Sequence, residues 1–209
     1  MTVIPFYGAQ RRDLFAVERA AMDRQGHVLQ ALERVLPDAG VVLDVGAGDG
    51  FTAERLATPE RRVLAMEPAR GMIDPSRSLT WLRGDASALP LADDCVDGVV
   101  ATWAYFFPSF HDITGGLAEA ERVLRPGGVL AIVNNLGDDE FTALASSDIS
   151  EPASYFTERG FELEVIETRF VFESLEDARE LLGLYFGDRG REGARLELSY
   201  RVGLYTKTG

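Results

Sequence analysis

Apolar positions along this chain follow two rhythms, one helical and one extended. Between 13 and 36, Leu29, Leu32, Val35 and Leu36 recur at helical spacing, and Pro37 stops the run. The continuous apolar stretch VVLDVG (41–46) then predicts a buried strand, and 51–57 a helix. RVLAME (62–67), LTWLRGD (79–85) and CVDGVVATWA (95–104) predict three more strands, the middle one least regular. Ile113, Leu117, Ala120, Val123 and Leu124 share a helical face, with Asp112 placed to cap its start. RPGG (125–128) ends that helix, and VLAIVN (129–134) follows as an apolar strand. A helix near 152–159 closes at Gly160 before a long strand over 161–172. SLED (174–177) resembles a capping box opening a helix to about 186, and LELSYRVGLYTK (196–207) is a last strand.

Strand and helix in such alternation predict an α/β fold: a mostly parallel sheet covered on both faces. The final two strands alternate more in polarity, which suits an antiparallel addition. Ligands of open α/β sheets bind beyond the carboxyl ends of the strands, where the glycine turn at 46–50 falls. The length of 209 residues suits a single domain over 1–209, with 1–37 as a helical segment able to act as a lid.

An apolar share of 46% and a charged share of 26% are those of a soluble globular protein, so a cytoplasmic location is expected. No apolar run approaches the ~20 residues of a membrane span, and the opening MTVIPFYGAQRRDLF lacks a secretory signal pattern. Cys95 is the only cysteine, so neither an internal disulfide nor a cysteine metal cluster is expected, and no metal is assigned. Lys and Arg total 21 against 34 Asp and Glu, a net charge of −13. Such a surface repels nucleic acid and anionic membranes, and the Arg pairs 11–12 and 61–62 are too short to oppose it. Neither nucleic acid nor a membrane is therefore expected as a partner, and the protein is expected to be a monomer or homodimer.

The turn itself narrows the ligand. A P-loop needs Lys-Ser or Lys-Thr after its glycines, and none follows here. The dinucleotide pattern finds its first two glycines in Gly46 and Gly48, but Phe51 stands at the third position. Asp44, two residues before Gly46, is poorly placed for a pyrophosphate and well placed for a cation. Glu67, ending the second strand, can accept both hydroxyls of a ribose. Asp85, in GDASALPL, can accept from an adenine amino group, with the Ala86 N–H reaching a ring nitrogen and Pro68 and Met72 offering apolar contacts. Three acids at neighbouring strand ends fit a ligand with a ribose, an adenine and a positive charge. S-adenosyl-L-methionine has all three and no phosphate.

These motifs resemble the class I S-adenosylmethionine-dependent methyltransferases, in particular the compact small-molecule type. VLDVGAGDG is similar to their first motif, VLAMEPARGMI to their second-strand acid and following Met. GDASALPLADDCVDGVVATWAYFF is similar to their adenine-binding strand end and fourth strand, and AEAERVLRPGGVLAIV to the helix and strand that follow. The resemblance is strong over about 38–134. It implies a Rossmann-like three-layer sandwich, a seven-stranded sheet with the last strand antiparallel, a cofactor-binding core over 38–135 and an acceptor-side portion over 136–209. It further implies that Gly46, Ala47 and Gly48 approach the methionine part, that Asp44 organises that end, and that Glu67 binds the ribose. Asp85 and Ala86 would hold the adenine, and Thr102 and Trp103 would line the methionine side and face the acceptor.

Other residues carry paired readings. Gly50 serves the helix start, and Asp97 a structural role. The aromatic stretch TWAYFFPSFHD (102–112) reads either as packing or as an acceptor wall; His111, and less so Tyr105, are its candidates for a general base. Phe6 and Tyr7 read as a lid or an anchor, Tyr185 and Phe186 as core or acceptor closure. No Asn-Pro-Pro-Tyr-like segment follows the fourth strand. Two other functions stay open: a cofactor-binding partner protein without activity, and a nicotinamide-dependent oxidoreductase, disfavoured by Phe51, Asp44 and the lack of a Tyr-x-x-x-Lys pair.

Overall fold

A computed structural model describes residues 10–209, so Phe6 and Tyr7 lie outside the described residues. Where periodicity predicts one helical run over 13–36, two helices stand, α1 (Arg12–Ala21) and α2 (His27–Val35). The break lies at Asp23 and Gly26, whose φ of 49° and 74° are left-handed and cannot continue a helix. The Asp23 carboxylate accepts the N–H groups of His27 and Val28 at 3.0 and 2.8 Å and the Thr168 hydroxyl at 2.7 Å. One acid therefore caps α2 and clips it to a distant strand. Leu36 turns extended before Pro37, as a residue ahead of proline prefers.

The chain continues through β1 (Gly40–Val45), α3 (Phe51–Leu56), β2 (Arg61–Met66), β3 (Thr80–Leu82) and β4 (Val96–Thr102). Next come α4 (Thr114–Val123), β5 (Leu124–Asn135), α5 (Ala153–Thr157) and β6 (Glu162–Val171). It ends with α6 (Leu175–Phe186), α7 (Asp188–Glu192) and β7 (Glu197–Thr208). The seven strands form one sheet in the order β3-β2-β1-β4-β5-β7-β6. β7 pairs antiparallel with both β5 and β6, and the other pairs are parallel. The expected α/β architecture with an antiparallel last strand is therefore the one observed.

Alternate residues of the central strands bury against opposite layers. Val42, Val100 and Val133 pack in one core with Leu14, Leu32, Ala53 and Leu181, from α1, α2, α3 and α6. Leu43, Val99 and Ile132 pack in the other with Leu117 and Phe156, from α4 and α5. Apolar burial on both faces explains why these strands read as continuous apolar runs. At the start of β2, Arg61 is buried and binds the carbonyls of Leu56 and Pro37 at 2.7 and 3.1 Å, with Glu33 as its ion-pair partner. Asp97 accepts the Val41 N–H at 2.7 Å and pairs with Arg125 at 2.6 Å, the structural role read for it.

Several predicted boundaries shift. β3 spans three residues, so Asp85 lies past the strand in a turn, its carbonyl accepting the Ala88 N–H at 2.9 Å. α4 ends at Val123, before RPGG, which lies within β5 instead of closing the helix; the register jumps from Val96↔Leu124 to Gly98↔Val129 around it. The helix expected over 152–159 keeps only Ala153–Thr157. At 174–177, the Ser174 hydroxyl oxygen accepts the Asp177 N–H at 3.0 Å, as a cap should. Asp112 accepts from Thr114 at 2.9 Å, while Ile113 occupies the capping position itself.

Candidate functional site

The glycine turn leaves β1 at the carboxyl edge of the sheet. The N–H groups of Gly46 and Ala47 both donate to the Met66 carbonyl, at 2.8 and 2.9 Å, folding the turn back on the end of β2. Gly46 has φ of 77°, and a Cβ there would stand 2.5 Å from the Ala104 Cβ. Gly50 has φ of 80° and caps α3, while a Cβ on it would stand 2.7 to 2.9 Å from Leu79 and Trp81. Both positions therefore exclude a side chain twice over, by backbone and by space. Gly48 has φ of 58° with only Met72 and Phe15 near, at 3.7 Å from a built Cβ. Backbone alone selects glycine at that point, and the Met72 side chain lies beside the turn.

Asp44 lies on the α1–α3 side of the sheet, next to Ala65 of β2 and Val100 of β4. It is fully buried, and neither carboxylate oxygen has a hydrogen-bond partner among the described residues. Burial pushes its carboxyl up to about 7; the charge of Arg19 pulls against the rise and that of Glu67 adds to it. Glu67, 6% exposed, accepts the Gly48 N–H at 3.0 Å on one oxygen and the Ala69 N–H at 2.8 Å on the other. It ties β2 to the turn. Each oxygen keeps a lone pair, since a carboxylate accepts about four bonds. Burial raises its carboxyl as well, against the two N–H bonds.

Arg19 was not singled out by the sequence, and only its place on α1 brings it here. Its guanidinium reaches Asp49 of the turn at 3.4 Å and lies over the rings of Phe15 and Phe51 at 5.0 and 4.6 Å. Phe51, which stands where dinucleotide folds keep a glycine, is half-buried, and the Arg55 guanidinium lies over its ring at 3.4 Å. Arg77 closes the same corner, bonding the Asp49 carbonyl and Glu54, both at 2.6 Å.

One strand further along the edge, Asp85 accepts the Ser87 N–H and hydroxyl on a single oxygen, at 2.9 and 2.8 Å. These bonds hold its carboxyl below the usual range, so it stays ionised. Ala86 is buried beside it, and Pro68 is half-buried at the end of β2. On the other side, Thr102 and Trp103 end β4. Trp103 has φ of 47°, rare for a bulky residue, and its N–H is held by the Val133 carbonyl at 2.9 Å. Its indole stacks on Tyr200, 6.2 Å between centroids, and the Tyr200 hydroxyl donates to Asn135 at 2.5 Å. Tyr185 reaches Glu18 of α1 at 2.5 Å, and Phe186 packs edge-on against Phe141 at 5.1 Å.

His111 and Tyr105 come together in the loop between β4 and α4, edge to face at 4.8 Å. The Tyr105 ring fills the space a Cβ on Gly116 would need. Burial, with the charges of Asp85 and Asp112, keeps the Tyr105 phenol protonated. Asp44, Gly46, Ala47, Gly48, Glu67 and Met72 thus surround one turn, Asp85 and Ala86 flank it on one side, and Thr102 and Trp103 on the other.

This edge carries a glycine turn after β1, with Asp44 near the end of β1, Glu67 directly after β2 and Asp85 past β3. Residues 43–132 match a family model described as a methyltransferase domain. Over that span the chain is similar to methyltransferases. It is 36% identical over 121 residues to an uncharacterized methyltransferase of Mycobacterium tuberculosis, covering 56% of this chain and 49% of that protein. It is 36% identical over 123 residues to the malonyl-[acyl-carrier protein] O-methyltransferase of Methylococcus capsulatus, covering 54% and 44%. The chain spans about half the length of the curated relatives it matches. The YcgJ protein of Bacillus subtilis superposes with a TM-score of 0.62 over 87% of this chain and 97% of its own, a likeness of fold at 19% identity. Among the described residues, no helix is long and apolar enough to cross a membrane.

Proposed function

We propose that this chain transfers a methyl group from S-adenosyl-L-methionine to a small-molecule acceptor. Asp44 carries the proposal: a buried carboxylate with two unpaired oxygens, beside a glycine turn, is incomplete without a cationic or donor-bearing ligand. When bound, the cofactor supplies a methyl group made electrophilic by its sulfonium sulfur. In this reading Asp44 accepts from the ligand's ammonium group, while Arg19 offers its charge to the carboxylate of the same amino-acid end. Gly46, Ala47 and Gly48 keep the backbone close, and the spare lone pairs of Glu67 accept from the ribose. Asp85 and Ala86 hold the adenine, with Met72 and Pro68 as its apolar wall.

Thr102 and Trp103 face the acceptor. Holding the acceptor in line and keeping water out supply much of the rate in such a displacement. Where the acceptor must shed a proton, His111 is the proposed base, with Tyr105 orienting its ring. The product is S-adenosyl-L-homocysteine.

Calorimetric titration with S-adenosylmethionine and with NADH tests the reading. Binding of the first and not the second is expected, and Asp85→Ala should weaken it at least about tenfold, the scale of one lost charge-assisted hydrogen bond. Binding of NADH alone overturns the proposal. Release of S-adenosylhomocysteine across an acceptor panel that includes malonyl-[acyl-carrier protein] then identifies the acceptor. Cofactor binding with no turnover on any acceptor favours a partner protein without activity.

A further inference from the structure

From Val129 to Val133 β5 is apolar, and it ends on Asn134 and Asn135. Asn134 is fully buried; its amide nitrogen donates to the Phe106 carbonyl at 2.5 Å and its oxygen has no partner. Glu151, 2% exposed, accepts the Ser109 N–H at 3.2 Å on one oxygen, and the other is buried and unpaired. Tyr205 is buried, stacked on Phe156 at 4.3 Å, and its hydroxyl is also unpaired.

The fold brings these three atoms to one place. Asn134 pairs with Gly203 across β5 and β7, and the Tyr205 hydroxyl lies 3.0 Å from where a Cβ on Gly203 would be. The Glu151 N–H donates to the Asn135 carbonyl at 2.9 Å, and the Glu151 charge acts on the Tyr205 phenol. Tyr205 faces the α4 and α5 side of the sheet, whereas Asp44 faces the opposite layer, so the cofactor reading uses none of the three.

The hydrogen-bond inventory does not close. The Asn134 oxygen only accepts, and so does an ionised Glu151, while the Tyr205 hydroxyl can donate once. No salt bridge reaches Glu151 among the described residues; burial raises its carboxyl against the bonds from Ser109, and the nearby Asp148 adds a like charge, so the ionised form lacks a cationic partner. A small group with several N–H donors and a positive charge completes the set. We propose that Glu151, Asn134 and Tyr205 form a subsite for the ammonium end of a small organic amine, beneath the loop over 103–112. A free ammonium or potassium ion carries the same charge, and the test separates the sources.

Thermal melts of the whole protein in matched ammonium, potassium, methylammonium and tetramethylammonium chlorides read the site without cofactor or acceptor. Methylammonium should raise Tm by about 3–6 °C over tetramethylammonium at tenfold its Kd. Glu151→Gln, which removes the charge and keeps the shape, should abolish that shift. Tyr205→Phe keeps the ring on Phe156 and should reduce it, so the test survives if the first variant fails to fold. Stabilisation by potassium and ammonium with none by methylammonium overturns the amine assignment in favour of a free ion. Equal Tm in all four salts, with Glu151→Gln as stable as the parent, overturns the subsite and makes Glu151 a neutral buried acid.

Discussion

Replacing Asp44 with asparagine should stabilise the free protein and weaken cofactor binding, and pH separates this from an ordinary core substitution. Burial moves the Asp44 carboxyl from 3.8 to about 7. That gap corresponds to about 4 kcal/mol between the protonated and ionised folded forms. The folded state holds the proton more tightly than the unfolded chain. Stability linked to Asp44 is therefore complete below about pH 4, drains as pH rises toward 7, and is absent above it. An asparagine avoids that loss but buries an amide with few partners, at a cost of ~1–3 kcal/mol. The net gain is about 2 kcal/mol at pH 8, or about 4–8 °C in Tm for a domain of this size. At pH 4, where Asp44 is protonated and only the cost of the amide remains, the variant should melt about 4–8 °C below the parent. Calorimetric scans at pH 4, 6 and 8 without ligand measure this directly. A Tm difference that does not change with pH, or a variant less stable at pH 8, would refute the reasoning that Asp44 is an unpaired buried charge.

Gly50→Ala should destabilise the fold by ~2–4 kcal/mol, from left-handed backbone and a Cβ pressed against Leu79 and Trp81; chemical denaturation measures it. Arg61→Ala should cost ~3 kcal/mol or more by the same measurement, because two carbonyls and Glu33 lose the buried guanidinium, and Arg61→Lys should not restore it. Asp97→Asn should cost ~1–2 kcal/mol at pH 7 through its bonds to Arg125 and Val41. Those bonds hold the Asp97 carboxyl below its usual range, so the difference should fade as pH drops through that lowered value.

What the sequence discloses about this site is what lies within a few residues of the turn. Asp44, Gly46 and Gly48 are read from one short stretch because strand, turn and helix follow each other there. Glu67 is legible as a strand-end acid, but its bond to the Gly48 N–H is not, since that depends on β1 and β2 lying side by side. Arg19 carries no local signal: it is one arginine on an amphipathic helix until α1 folds across the turn. The break at Asp23 was hidden for the same reason, because Thr168, which it binds, lies 145 positions away. Phe51 is legible as a departure from the dinucleotide pattern, but the guanidinium groups of Arg19 and Arg55 over its ring are not. The orphaned oxygens of Asn134 and Glu151 belong to the end of β5 and to the segment before α5, which only the finished sheet brings together.

β7 lies between β5 and β6 in the sheet, and this position sets an order of assembly. β6 is made earlier but has no strand to pair with until residues 197–208 arrive. α1 and α2 depend in turn on β6, through the Met22–Phe170 bridge and the Asp23–Thr168 bond. α1 and α2, although they precede the sheet in the chain, are thus seated after β6, and with them Arg19. A truncated or stalled chain can form the glycine turn and the acids around it while leaving that edge uncovered. The roof over the turn is built only when the far strand has docked, so a half-made copy has no closed site.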